Sequence, residues 1–210
     1  MLVYPAIDLS SQGNRKQPWN KTITHQYRQG KYYDFRIHPE LIETSLEDFV
    51  DYSDNQAIQT FYSILKWINS DTSALESTDC LFSGTPATNG CAVIYHSTHS
   101  SNCRLEFFIR EIEHNNNEHA IGWILNKLSI FLQVENPDFR KGTFGIVPLV
   151  TEYLTAGGIY LYGYRICIYI DAYGNGIKDT WNSLDVLFNG LMKSLKRMSN
   201  EMISGGIKPL

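Results

Sequence analysis

The chain has 210 residues and a formal net charge of −4, with 43% hydrophobic and 19% charged residues. This composition excludes a disordered chain, and the acidic balance lacks the basic footprint of a general nucleic-acid-binding domain. The length favours one domain over residues 1–210, large enough to bury a core without disulfides or metal.

Residues 2–9 read as a first strand, and the polar stretch 10–20 reads as a loop. The N-terminus has no basic leader and reaches Asp8 early, and no apolar run approaches the ~20 residues of a membrane span, so neither a signal peptide nor a span is expected. Two alternating segments follow, 21–27 and 31–38, with Arg28-Gln29-Gly30 between them; they predict a hairpin. Pro39 closes the second strand. Thr44 and Glu47 have capping-box spacing for a short turn through Val50, and Ser53 with Gln56 repeats it. Ala57, Ile58, Phe61, Ile64, Leu65 and Ile68 then recur at helical spacing and predict a helix over residues 54–69.

Residues 70–79 and 86–90 read as irregular, and 91–96 as a strand. Residues 103–112 alternate cleanly: Cys103, Leu105, Phe107 and Ile109 share one face, and Arg104, Glu106 and Arg110 the other. The link 96–102 makes these two strands a predicted hairpin. His114-Asn115-Asn116-Asn117 breaks the chain before a second helix, marked by Ala120, Ile121, Ile124, Leu125, Leu128 and Leu132. Residues 143–153 are strand-like, with Pro148 pushing them toward an edge or a bulge. After Ala156-Gly157-Gly158, residues 159–170 form the most apolar run and are expected to be the central strand. The last helix, 177–202, carries Trp181, Leu184, Phe188, Leu191, Leu195, Met198 and Met202 on one stripe. The order predicts an α+β fold with a mostly antiparallel sheet and about three packed helices.

The chemistry-bearing motifs are few. Cys80, Cys91, Cys103 and Cys167 form no CxxC pair and read as reduced, mostly buried thiols of a reducing cytoplasm. His96 with His99, and His114 with His119, lack the converging Cys or carboxylate donors of a zinc site. Asp171-Ala172-Tyr173-Gly174-Asn175-Gly176 lacks the alternating acids of a calcium loop and reads as a turn. No phosphate-loop or nucleophile-elbow spacing occurs, so no cofactor and no metal are expected.

The most informative feature is a charge reversal. Residues 14–36 hold six cations, Arg15, Lys16, Lys21, Arg28, Lys31 and Arg36, against one acid, Asp34. Residues 40–54 hold six acids, Glu40, Glu43, Glu47, Asp48, Asp51 and Asp54, and no Lys or Arg. Like charges four apart on a helical turn repel, so these acids are expected to project outward. With Asp71, Glu76 and Asp79 they make a candidate negative patch that docks a basic partner and speeds its capture.

Over its length the chain resembles the immunity proteins of bacterial toxin–immunity systems, including those paired with contact-dependent growth inhibition toxins. The resemblance lies in its acidic α+β character without catalytic motifs, and in residues 73–80 (SALESTDC), 104–111 (RLEFFIRE) and 171–176 (DAYGNG). It implies a cytoplasmic antitoxin-like inhibitor, not an enzyme, that acts by protein–protein interaction. The implied partner is a cognate toxin, often a nuclease with a cationic active site, covered by carboxylates and aromatics. Two other readings stand beside it. The segment 14–36 interleaves its cations with Trp19, Tyr27, Tyr32, Tyr33 and Phe35, the composition of a single-strand nucleic-acid platform. An enzyme whose Cys and His partners are distant in sequence is the third.

Overall fold

The computed structural model describes residues 2–5, 8–14, 54–78, 80–82, 84–88, 96–154 and 160–207. In chain order the elements are β1 (Leu2–Pro5), β2 (Asp8–Asn14), α1 (Gln56–Ile68), β3 (Leu75–Ser77), β4 (Leu81–Phe82), β5 (Ala87–Thr88), β6 (His99–Ile109), a 3-10 turn (Ile112–Asn116), α2 (Glu118–Glu135), β7 (Gly142–Leu154), β8 (Tyr160–Gly174) and α3 (Ile177–Gly205). The class is α+β. The eight strands form one sheet along the path β1-β7-β8-β6-β3, with β2 also on β7 and β4 and β5 also on β6.

The apolar run expected to be central is β8, which pairs antiparallel with β6 on one side and β7 on the other. Ile166, Ile168 and Ile170 point to the same face as Leu105 and Phe107 of β6 and Phe144 and Ile146 of β7, and this face carries the main core. α3 lies over it, burying Trp181, Leu184, Phe188, Leu191, Leu195, Met198 and Met202, the whole predicted stripe. α1 and α2 pack on either side of α3. α1 adds Ile58, Phe61, Ile64, Leu65 and Ile68, and α2 adds Ile121, Ile124, Leu128 and Leu132.

Several local expectations are corrected. The stretch read as a loop from residue 10 begins inside β2, and both β1 and β2 run parallel to β7. β7 is an inner strand despite Pro148. The described pairing on that side passes from Pro5↔Ile146 to Asp8↔Leu149, and on the other side Pro148 lies opposite Ile166 of β8. The link 96–102 is partly strand, since β6 starts at His99. Residues 70–79 contain β3, which pairs with β6 through Leu75↔Ile109. The cap of α1 is Asn55, not Ser53: the Asn55 side chain accepts from the N–H groups of Ala57 at 3.0 Å and Ile58 at 3.4 Å. Asn117 does the same for α2 through His119 and Ala120. The predicted strands 21–27, 31–38 and 91–95 and the turn after Thr44 lie outside the described residues.

Candidate functional site

α1 and α3 begin side by side. Gly176, at φ 95°, turns β8 into α3 with a backbone conformation that side chains other than glycine rarely adopt. The turn is clasped from both sides. Lys141 Nζ lies 2.8 Å from both carboxylate oxygens of Asp179, Asp179 accepts from Asn175 N–H at 2.7 Å, and Thr98 Oγ1 accepts from Gly176 N–H at 3.0 Å. The Lys141 and Asn175 hydrogen bonds hold the Asp179 carboxyl below its ordinary pKa.

Between the two helix starts lies a groove of about 420 Å³, lined by Asp54, Asn55, Gln56, Ala57, Ile177, Lys178, Trp181, Asn182 and Asp185. Trp181 stacks on Phe82 (5.8 Å between centroids, 7° between planes), and Phe82 meets Phe61 and Phe188 at 5.6 and 6.3 Å, so the wall is backed by core. Asp185 is held in place: its Oδ1 accepts from Thr60 Oγ1 at 2.8 Å and from Asn189 Nδ2 at 3.1 Å. Two carboxylates, the Lys178 ammonium, side-chain amides and an aromatic wall thus line the groove.

Of the nine acids predicted from sequence, three are among the described residues, and of these Asp54 joins the groove. Asp71 is exposed at the other end of α1, about 20 Å away along its 13 residues. Glu76 is half-buried on β3 opposite Phe108. Glu40, Glu43, Glu47, Asp48, Asp51 and Asp79, and the cations of residues 15–36, lie outside the described residues. Sequence reasoning missed Asp185. It is an isolated acid between apolar helix positions, and only the packing of α1 on α3 gives it a role.

The second face of the sheet holds a different cluster. Glu106, 1% exposed, lies 2.8 Å from Arg165 Nε and 3.2 Å from Arg104 Nε. Arg165 Nη1 donates to Thr151 Oγ1 at 3.4 Å. Cys167 pairs across the strands with Glu106 and Val147 and is fully buried. Burial, then the Glu106 charge, pushes its thiol pKa far up. Burial also pushes the Tyr169 phenol up to about 12. Both stay protonated at neutral pH, so neither is a nucleophile or a base there. Cys103 is buried, and Cys80 is half-buried with its Sγ donating to Glu106 O at 3.8 Å. Among the described residues no three His, Cys, Asp or Glu side chains converge as a metal site, and no helix is long and apolar enough to cross a membrane.

On the same face, burial pushes the Asp171 carboxyl above its ordinary value, against a stabilising hydrogen bond from Thr143 Oγ1 at 3.2 Å. A raised carboxylate pKa disfavours the folded state wherever the group is ionised and ceases to do so as pH falls through that value. Asp171→Asn is therefore expected to raise the urea midpoint at pH 7, and the gain to vanish below the ordinary aspartate pKa of about 3.9. Paired urea titrations at neutral and acid pH check it.

The chain matches no protein-family model, no curated protein and no solved structure with which it was compared.

Proposed function

We propose that this chain is a cytoplasmic immunity-type inhibitor that binds a basic protein toxin and blocks it, seating a cationic segment of the toxin in the groove between the starts of α1 and α3. The observation that carries the reading is that Asp54 and Asp185 line one groove, together with the single cation Lys178 and backed by Trp181. A fixed carboxylate costs little to reorganise on binding, and Asp185 is already oriented by Thr60 and Asn189. Carboxylates facing a cationic surface accelerate encounter and exclude partners of the wrong sign.

The functional test is co-expression with the C-terminal domain of the polypeptide encoded immediately upstream in the native genome. Protection of growth is expected, and killing despite abundant soluble inhibitor rejects the reading. The site is tested by association kinetics with that domain. Asp54→Lys combined with Asp185→Asn is expected to slow association about 10-fold at low salt and to flatten its salt dependence. Unchanged kinetics remove the groove as the docking face.

A further inference from the structure

We propose that Asn175 is a self-modification site: its side-chain amide is lost spontaneously to the backbone nitrogen of Gly176, leaving aspartate or isoaspartate at the start of α3, with Thr98 as the brake on the reaction. The inference concerns the chain alone and is independent of what the groove binds.

The chemistry belongs to an asparagine followed by glycine, which has no Cβ to keep its nitrogen from the side chain before it. Two such pairs lie among the described residues, Asn175-Gly176 and Asn189-Gly190, and the fold treats them differently; a third, Asn89-Gly90, lies outside them. On α3, Asn189 Nδ2 donates to Asp185 O at 2.9 Å and to Asp185 Oδ1 at 3.1 Å, so its amide is tied down. The Gly190 N–H belongs to the helical ladder, and a Cβ at Gly190 collides with Asn136. Asn175, by contrast, is exposed in the turn between β8 and α3, and among the described residues nothing hydrogen-bonds its side-chain amide. Gly176 precedes the first turn of α3 at φ 95°, with nothing within 4 Å of its Cβ position. Its N–H donates to Thr98 Oγ1 at 3.0 Å, a single side-chain bond and not a ladder.

In the step itself, the Gly176 nitrogen gives up its proton to solvent hydroxide and attacks Asn175 Cγ. The Cγ–Nδ2 bond breaks, Nδ2 takes a proton from water and leaves as ammonia, and a five-membered succinimide closes. Water then opens the ring at Cγ, which gives aspartate, or at the main-chain carbonyl carbon, which gives isoaspartate. No oxidant or reductant enters. The negative charge that develops lies at the start of α3, where the helix dipole favours it and where Gly176 supplies no side-chain cap. Attack requires the Gly176 nitrogen to leave Thr98, and that slows the step. Isoaspartate adds one carbon to the main chain between Gly174 and Gly176, where Asn175 N–H donates to Asp179 Oδ2 at 2.7 Å. The turn that ages is the one on which Ile177, Lys178 and Trp181 of the groove ride.

Site-resolved mass spectrometry of the purified full chain, aged at physiological temperature and mildly alkaline pH, tests this. The Asn175 peptide is expected to deamidate at least about 10-fold faster than the Asn189 peptide, because the latter must first give up a backbone and a side-chain hydrogen bond. An isoaspartate-specific methyltransferase is expected to label the Asn175 peptide. In concentrated urea the two rates are expected to converge. Thr98→Val removes the oxygen that holds the Gly176 N–H and is expected to speed conversion about 2- to 10-fold, the worth of one hydrogen bond, whereas Thr98→Ser keeps the native rate. Should Thr98→Val fail to fold, the comparison of the two peptides in the unaltered chain decides without it. Equal rates for the two native peptides, a difference that persists in urea, or a folded Thr98→Val chain that ages no faster overturns the proposal.

Discussion

Replacing Glu106 by alanine is expected to destabilise the protein by about 3–5 kcal/mol, the cost of leaving buried cations without their counter-charge. The weight of this loss falls on Arg165. Its side chain is 9% exposed and its Nε lies 2.8 Å from the carboxylate, whereas the Arg104 side chain is 29% exposed and has a route to solvent. Arg165 lies opposite Leu149 of β7, and its Nη1 donates to Thr151 Oγ1 at 3.4 Å, which anchors the guanidinium within the sheet. Glu106→Gln keeps the shape and loses the charge, and is expected to recover only a minor part of the loss. The double replacement Glu106→Leu with Arg165→Met removes both charges and is expected to recover most of it. Urea titrations with an unchanged dependence on denaturant isolate the effect to the native state. A loss below about 1 kcal/mol for Glu106→Ala means that water reaches the cluster and that the carboxylate is not structural.

Glu106 also shows where sequence reading reaches its limit. The alternation of residues 103–110 is legible, and Leu105 and Phe107 do face the core. The same alternation places Arg104 and Glu106 on the polar side, which a strand with one wet face would expose. Here Glu106 is buried while Arg104 stays partly exposed, and the counter-ion that permits the burial, Arg165, comes from a neighbouring strand far along the chain. Alternation reports which residues share a face; it does not report what covers the face.

The helices are more legible because their signals are local. The apolar stripes of all three appear at their sequence positions, and the miss at the start of α1 is a choice between two good caps, Ser53 and Asn55, two residues apart. Strand pairing is less legible. Parallel β1 and β2 meet β7 across most of the chain, with no turn to announce the contact. The groove inherits both behaviours. Asp54 was visible as the end of an acidic run. Asp185 and Trp181 read as ordinary positions on a helix, and became part of a site only when α1 was laid against α3.

Gly174→Ala is expected to cost about 3 kcal/mol, at the upper end for a forced overpacking, and with it the geometry of the groove. Gly174 ends β8, and a Cβ there collides with the backbone nitrogen of Thr180 and lies 2.7 Å from the Asp179 carbonyl carbon and 2.8 Å from Thr180 Cα. These are main-chain atoms of the first turn of α3, and no side-chain rotation relieves them. The only relief is for α3 to move away from the strand. That motion is opposed by Thr98 N–H donating to Gly174 O at 3.1 Å, by Thr98 Oγ1 on Gly176 N–H, and by the Lys141–Asp179 pair. Ile177, Lys178 and Trp181, which line the groove, ride on the same turn. The variant is therefore expected to melt about 10 °C lower. Gly206→Ala is the control: Gly206, at φ 66°, has nothing within 4 Å of its Cβ position, so the substitution meets backbone strain alone and leaves the groove intact. A Gly174→Ala melt matching that of Gly206→Ala would show that α3 is free to shift, and the fixed spacing of Asp54 and Asp185 on which the docking proposal depends would go with it.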